Sequence, residues 1–560
     1  MRFGLFYEHQ IPRPWTDGAE ERLLADALDQ IALADRLGFD SVWAVEHHFL
    51  EEYSHSSAPE VFLAAASQRT RRIRLGHGIV QLPHQFNHPA RVAERISTLD
   101  LLSGGRVEFG TGEGGSQAEL GGFGVDRDHK RAQWEEALDA VTRMMSEEPF
   151  AGYQGRYLSM PPRNVVPKPK QKPHPPLWVA CSRRETILLA ARKGIGALSF
   201  SFIEPEEARG WVDDYYRLLA SEECTPAGLA VNANLAVVVP MMCHRDEQTA
   251  LDRGIDGAHF FGYSLAHYYV FGRHRPGATS LWDEFQANRS DYGFAREIVR
   301  AEDAPLGVRL LQHGLGSLRG AVGTPRQIVE LLSRYERAGV DQVIFVSQAG
   351  RNRHEHICES LELFAAEVLP AFAPHADQRE REKQERLADS CRRALGRRTL
   401  RPPAPAGYII APQGEPFTAG ARGKTAASSL LARLLGGRTD AQLERLFSRR
   451  PVQWLIFQGL RRRLDPARAP SFEGSIQYEL HSAGRVFPWY VRIAGGRVAA
   501  RAGRAEAPRL TMRMSLATFA RILTGELEAN AAVMERKLDL EGDFSALGAL
   551  GRMLQRSPAS

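Results

Sequence analysis

Through its first 370 residues the chain repeats one cadence: a dense apolar run, a loop, then a stretch with apolar positions at helical spacing. The runs are RFGLFYE (2–8), SVWAVEH (41–47), IRLGHGIVQL (73–82), RVEFGTG (106–112), PLWVAC (176–181), ALSFSF (197–202), LAVVVPM (235–241) and QVIFVS (342–347). Short continuous apolar runs of this kind suit strands buried on both faces. The first helical stretch ends near Leu37, with Leu24, Leu28, Ile31 and Leu33 toward one face and Gly38 as its stop. Strands alternating with helices imply right-handed parallel crossovers, and eight such units predict an α/β fold closed as a (β/α)8 TIM barrel. A doubly wound open sheet competes, weakened because no glycine fingerprint follows the first strand. The segment 242–322 is too long for an ordinary connection and predicts an insertion over one barrel face.

The pattern changes from Pro374. HADQREREKQERLADSCRRALGRR (375–398) reads as a charged, solvated helix, and TLRPPAPAGYIIAPQGEPFTAGARGK (399–424) as a linker rich in proline and glycine. Beyond it FEGSIQYEL (472–480), FPWYVRIAGGRVAA (487–500) and RLTMRMS (509–515) show strand alternation. Ser515 then caps a helix with Leu516, Phe519 and Leu523 on one face and Gly525 as its stop, and KLDLEGDF with SALGALGRML completes a smaller α+β domain. The predicted organisation is a barrel over 1–372, a charged helix and linker over 373–427, and a second domain over 428–560.

Composition narrows the classes. At 560 residues the chain exceeds one ordinary core. No run approaches the apolar length of a spanning helix, and MRFGLFYEHQ lacks the order of a signal peptide, so a soluble, cytoplasmic protein is expected. Five scattered cysteines form no CxxC pair and read as reduced thiols. The net charge of +5 gathers in arginine runs between 379 and 463. Without aromatic interleaving these read as solvated faces; nucleic acid is not expected, and anionic membrane is the weaker alternative. His354 and His356 have no companion ligand at metal spacing, so no metal is expected.

Candidate chemistry lies where the predicted strands end. Glu46, His47 and His48 stand at one strand end and GTGEGG (110–115) at another, and barrel active sites are built at that mouth. The glycines would let a ligand approach backbone N–H groups. On residues alone, a catalytic histidine and a histidine bonded into the barrel shell are equally good readings.

VWAVEHHF (42–49), LGHGIVQLPHQFNHPARVAERISTLDLLSGGRVEFGTG (75–112), FGVDRDHKR (123–131), VGTPRQIVELL (322–332) and LFAAEVLP (363–370) resemble the bacterial luciferase-like flavin monooxygenases, in order over residues 1–372. The resemblance implies a barrel that binds FMN, delivered reduced by a separate flavin reductase, and uses O2 through a flavin C4a-hydroperoxide to oxygenate a hydrophobic small-molecule substrate. It implies His47 as catalytic base, suited by a pKa near working pH, with His48 structural. It also implies Arg131 and Ser182 on the phosphate, and Gly78 and Gly112 in the segments lining the flavin. A homodimer is left open. Bacterial luciferase carries a reactive cysteine and a phosphate-binding arginine where this chain has Gly112 and Glu113, which argues against light emission. A carboxylate there would repel phosphate unless it turns away.

The second domain resembles the sterol carrier protein family over about 470–555, which implies a hydrophobic-ligand or lipid tunnel. Met512, Met514, Phe519 and Met534 equally suit a filled core. Two rival functions remain at this stage: deazaflavin-dependent hydride transfer, and a non-catalytic lipid-binding protein with a degenerate barrel.

Overall fold

In the computed structural model, β1 (Arg2–Tyr7), β2 (Ser41–Ala44), β3 (Arg74–His77), β4 (Val107–Gly112), β5 (Leu177–Cys181), β6 (Gly196–Ser199), β7 (Leu235–Cys243) and β8 (Gln342–Val346) pair in parallel, each with the next. Pairing of β8 with β1, in register Arg2↔Gln342, closes the barrel. Residues 1–200, 203–291, 294, 318–399, 402–405, 408–410, 438–469, 472–524 and parts of 526–553 are described. Most of the 399–424 linker, Gly525, Met534 and most of SALGALGRML lie outside the described residues. The chain divides into two compact units, Met1–Tyr408 and Ile409–Ser560.

All eight strands fall on the apolar runs read from the sequence, and their side chains fill two cores. Inside the barrel, Trp43 and Trp178 meet edge to face at 5.3 Å between ring centroids, packed with Phe6, Leu198, Val238 and Ile344. The Trp43 ring occupies the space a Cβ on Gly76 would need, which is why β3 carries glycine there. The outer core lies between strands and helices. Those helices are α1 (Ala19–Leu37), α2 (Pro59–Arg69), α3 (Pro89–Leu102), α4 (Gln117–Phe123), α5 (Lys130–Ser146), α6 (Arg184–Arg192), α7 (Pro205–Leu219), α8 (Glu247–Ala266), α9 (Leu281–Asn288), α10 (Pro325–Ala338) and α11 (His354–Glu367). The insertion after β7 supplies α8, a π-helical turn (His267–Phe271) and α9.

Two expectations need correction. Helix α1 stops at Gly38 in the left-handed conformation, as expected, but its buried stripe is Ala27, Gln30, Ile31, Ala34 and Asp35, while Leu24 is 39% exposed. Gln30 and Asp35 go inside because each is bonded there: Gln30 accepts from the Tyr7 hydroxyl, and Asp35 accepts from the backbone N–H groups of Arg71, Arg72 and Ile73. The charged stretch after Pro374 forms α12 (Ala373–Gly396), which is not solvated all round. Its Leu387 and Ala394 join the outer core of the barrel. Lys383 is buried, with Nζ 2.9 Å from Asp341 and 2.7 Å from Asn234, and Arg379 pairs with Glu336.

The second unit contains α13 (Asp440–Phe447) and α14 (Arg450–Arg463), then β9 (Gly474–Ser482), β10 (Arg485–Ala494), β11 (Arg497–Ala502), β12 (Leu510–Ser515), α15 (Leu516–Thr524) and β13 (Leu538–Gly542). Its mixed sheet has the order β11-β10-β9-β12-β13, with β9 and β12 parallel and the other pairs antiparallel. Gly495 and Gly496, both at positive φ, make the tight β10–β11 turn that most side chains would strain. The Ser515 hydroxyl accepts from the Thr518 N–H and caps α15. Phe457 stacks on Trp489 at 4.6 Å, with Phe519, Met512 and Met514 buried in the same core.

Candidate active site at the barrel mouth

The strand ends surround a cavity of about 590 Å³. The five residues that the luciferase-like resemblance implied as site residues all line it: His47, Gly78, Gly112, Arg131 and Ser182. The EHH triplet separates as the chain leaves β2. Glu46 turns into the wall, accepting from the Gln81 N–H at 2.8 Å and the Asn87 amide at 2.7 Å. His48 backs onto Glu46 and meets Phe123 edge to face. Of the two histidines only His47 lines the cavity, with its backbone N–H fixed on the Ser56 carbonyl.

His47 stands between two buried carboxylates. Its Nδ1 is 3.0 Å from Glu119 Oε1, on α4, and its Nε2 is 3.7 Å from Glu8 Oε2, just past β1. Glu119 Oε1 also accepts the His48 N–H and the Gln81 amide, and the Tyr53 hydroxyl donates to Glu8 Oε1 at 2.8 Å. Burial alone would lower the imidazole pKa, but Glu119 and Glu8 outweigh it and raise it to about 9. Burial pushes Glu8 the other way for an acid, up to about 7, opposed by His47 and the Tyr53 hydroxyl. In Glu119, His47 overcomes burial and keeps the carboxyl below its ordinary range.

The opposite end is cationic. Arg127, Lys130, Arg131 and Arg183 line it with Ser182, just before α6. Glu113 is also here, and it is engaged: Arg131 donates to both its oxygens at 2.7 and 3.1 Å, and Lys130 lies 3.3 Å away. Burial favours the neutral acid, yet Arg131 and Lys130 hold Glu113 below its ordinary pKa.

The glycines make room for side chains. A Cβ on Gly112 would lie 2.6 Å from Ile79, one on Gly78 3.1 Å from Phe6, and one on Gly115 2.8 Å from Tyr269. Behind them, Trp134 donates to Thr111, whose hydroxyl donates to the Trp178 carbonyl.

Sequence reading did not single out Glu8, Tyr53, Glu119, Lys130 or Tyr269. Glu8 ends the first apolar run as His47 ends the second, so the same strand-end signal marks it. Lys130 adjoins Arg131 in FGVDRDHKR. Glu119 carries no comparable local signal, because only the fold brings α4 against β2.

The cavity's chemistry fits a flavin mononucleotide. One end offers cations, a hydroxyl and the first N–H groups of α6, the donor set a phosphate needs. Between that end and the carboxylate–imidazole end, the wall carries apolar and aromatic side chains, Ile79, Phe200, Phe261, Leu265 and Tyr269.

A barrel with this charge-divided mouth defines an α/β class with a cofactor-sized active site, and comparison with known proteins makes it particular. Residues 1–342 match the model of the luciferase-like monooxygenases, and the chain belongs to that family. Residues 457–555 match the SCP-2 sterol transfer family. An uncharacterized protein, y4wF, of Sinorhizobium fredii is 36% identical over 216 residues, 39% of this chain and 59% of that one, so the alignment spans about three fifths of that relative. The oxygenase component of a flavin-dependent trigonelline monooxygenase of Acinetobacter baylyi is 24% identical over 67% of this chain and 96% of its own. The solved structure of monooxygenase RslO1 from Streptomyces bottropensis is similar with a TM-score of 0.53 and 25% identity, over 66% of this chain and 100% of that one.

Proposed function

We propose that the barrel is the oxygenase component of a two-component flavin system. It takes reduced FMN from a separate reductase and uses O2 to insert one oxygen atom into an apolar organic substrate. The division of one cavity into a cationic end and a carboxylate–imidazole end, joined by an apolar wall, carries this reading. Family membership supports the reaction class, and the relative named as an oxygenase component supports a reductase partner.

Lys130, Arg131 and Ser182 would hold the phosphate, with Arg183 and the opening N–H groups of α6 beside them. Gly78 and Gly112 belong to the wall that would meet the ring system. When bound, the reduced flavin supplies the electrons that activate O2 for oxygen transfer. His47, protonated at neutral pH, donates its proton at the reacting centre and recovers it, so the imidazole works first as an acid and then as a base. Tyr53 and Phe261, both buried, pack beside the inner end, where a low-dielectric surround would strengthen the charge interactions.

The test is turnover of the full chain with reduced FMN, a general flavin reductase, a panel of lipophilic compounds and isotopically labelled O2. One labelled oxygen atom per product is expected, and His47→Ala should lower the rate by about 10²-fold or more. Reduced flavin consumed without label entering any compound would argue against oxygen transfer.

For the second unit we propose a bound apolar ligand, supported by the SCP-2 family match and the apolar interior around Phe457, Trp489 and Met512. Displacement of a fluorescent fatty acid from the full chain tests it, and failure to bind the probe counts against it.

A further inference from the structure

Glu8 and Glu119 reach the same imidazole from opposite sides and from different elements, one beyond β1 and one in α4. Their burial is nearly complete, with side chains 2% and 1% exposed, against 16% for His47. Each also keeps one oxygen without a hydrogen-bond partner among the described residues, Glu8 Oε2 and Glu119 Oε2. A buried carboxylate oxygen without a donor is costly, so the proton inventory of these three groups is shared. The other ionisable groups at this end are Glu46, on the same strand end as His47, Tyr53 in the turn Glu51–Tyr53, and Tyr269 in the π-helical turn. Glu46 is satisfied by Gln81 and Asn87, and burial keeps Tyr53 protonated, raised well above its ordinary value.

We propose that Glu8 and Glu119 act through His47 as positioning residues of one three-group proton relay: Glu119 fixes the ring through Nδ1, and Glu8 resupplies the proton at Nε2. The N–H bond at His47 Nε2 breaks as its proton passes to the reacting oxygen. The O–H bond at Glu8 Oε2 then breaks as its proton restores that N–H bond, leaving a carboxylate that the Tyr53 hydroxyl stabilises until solvent returns a proton. The 3.7 Å separation of Nε2 and Oε2 exceeds a hydrogen bond, so the pair closes only for the transfer. Use of the relay in oxygen transfer rests on the proposed oxygenase function; the relay itself belongs to the flavin-free chain.

The test is nuclear magnetic resonance of the flavin-free full chain labelled at histidine nitrogen, titrated with pH. His47 is expected to remain an imidazolium at neutral pH and to show a second inflection near neutrality, where Glu8 ionises. Glu119→Gln and Glu8→Gln should each lower the imidazole midpoint by about one pH unit or more, and Glu8→Gln should erase the second inflection. Tyr53→Phe, which leaves all three groups in place, should move that inflection upward. A midpoint near the ordinary histidine value in the wild type overturns the proposal, as does a Glu8→Gln curve that matches the wild type. Failure of the oxygenase reading would appear separately, as an intact titration with no oxygen transfer.

Discussion

Glu113 and Arg131 form a two-point ion pair at the cationic end of the cavity, with Arg131 Nε 2.7 Å and Nη2 3.1 Å from the two carboxylate oxygens. A phosphate entering that end competes with Glu113 for Arg131 and Lys130. Glu113→Gln should therefore tighten FMN about tenfold while leaving riboflavin, which has no phosphate, unchanged. Flavin fluorescence titrations of both ligands measure the difference; equal affinity in variant and wild type would place the phosphate elsewhere.

The converse substitutions test the same end from the donor side. Arg131→Ala and Ser182→Ala should each weaken FMN by about tenfold and spare riboflavin. Loss of both ligands together would indicate a structural defect, visible as a lowered melting temperature.

Helix α12 is part of the barrel unit, because Leu387 and Ala394 lie in its outer core and Lys383 bonds Asp341. A chain ending at residue 372 should be less stable than one ending at 408 in urea denaturation. Lys383→Met should cost about 1–3 kcal/mol in the full chain, since it removes the cation bonded to half-buried Asp341, which keeps the Tyr216 hydroxyl and the Leu235 N–H as donors. Equal stability of the two truncated chains would make α12 an appendage.

Glycines at close approaches should resist substitution. A Cβ on Gly110 would stand 1.9 Å from the His77 carbonyl oxygen, so Gly110→Ala should destabilise by about 1–3 kcal/mol. Gly210, in α7 with no described atom beyond its own stretch of helix within 4 Å of its Cβ position, should instead tolerate alanine with a gain of about 0.5–1 kcal/mol. Thermal melts of the two variants settle the contrast.

Stability should fall on the alkaline side. His47 has a folded pKa of about 9 against an ordinary 6.5, so its contribution is complete below about pH 6.5 and is lost as pH rises through about 9. Glu8, raised to about 7 from an ordinary 4.5, contributes below about 4.5 and loses that contribution as pH rises through about 7. The double variant Glu8→Gln, His47→Gln should lack the decline above neutrality in chemical denaturation; persistence of the full decline would assign it to other groups.

The barrel was legible because buried parallel strands leave continuous apolar runs, and all eight such runs carry strands. Helix α1 was less so, since Gln30 and Asp35 are buried by specific hydrogen bonds that apolar periodicity does not register. In α12 the density of charge concealed a packed face, because Lys383 and Arg379 meet acids distant in sequence. His47 was visible as a polar end to an apolar strand. Its partners were not: Glu119 lies 72 residues away and is brought to His47 by tertiary packing. The glycines of GTGEGG were noticed for the ligand they would admit, whereas Ile79, Gln81, Phe86 and Tyr269 occupy the space beside them.

The central claim is that this cavity takes reduced FMN and directs its reaction with O2. Anaerobic titration of the full chain with reduced FMN and, separately, reduced deazaflavin, followed by mixing with O2 while the flavin spectrum is recorded, tests it most directly. The account predicts that reduced FMN binds in preference and that His47→Ala changes the course of its reoxidation. Binding of the deazaflavin alone, or of neither, would contradict it.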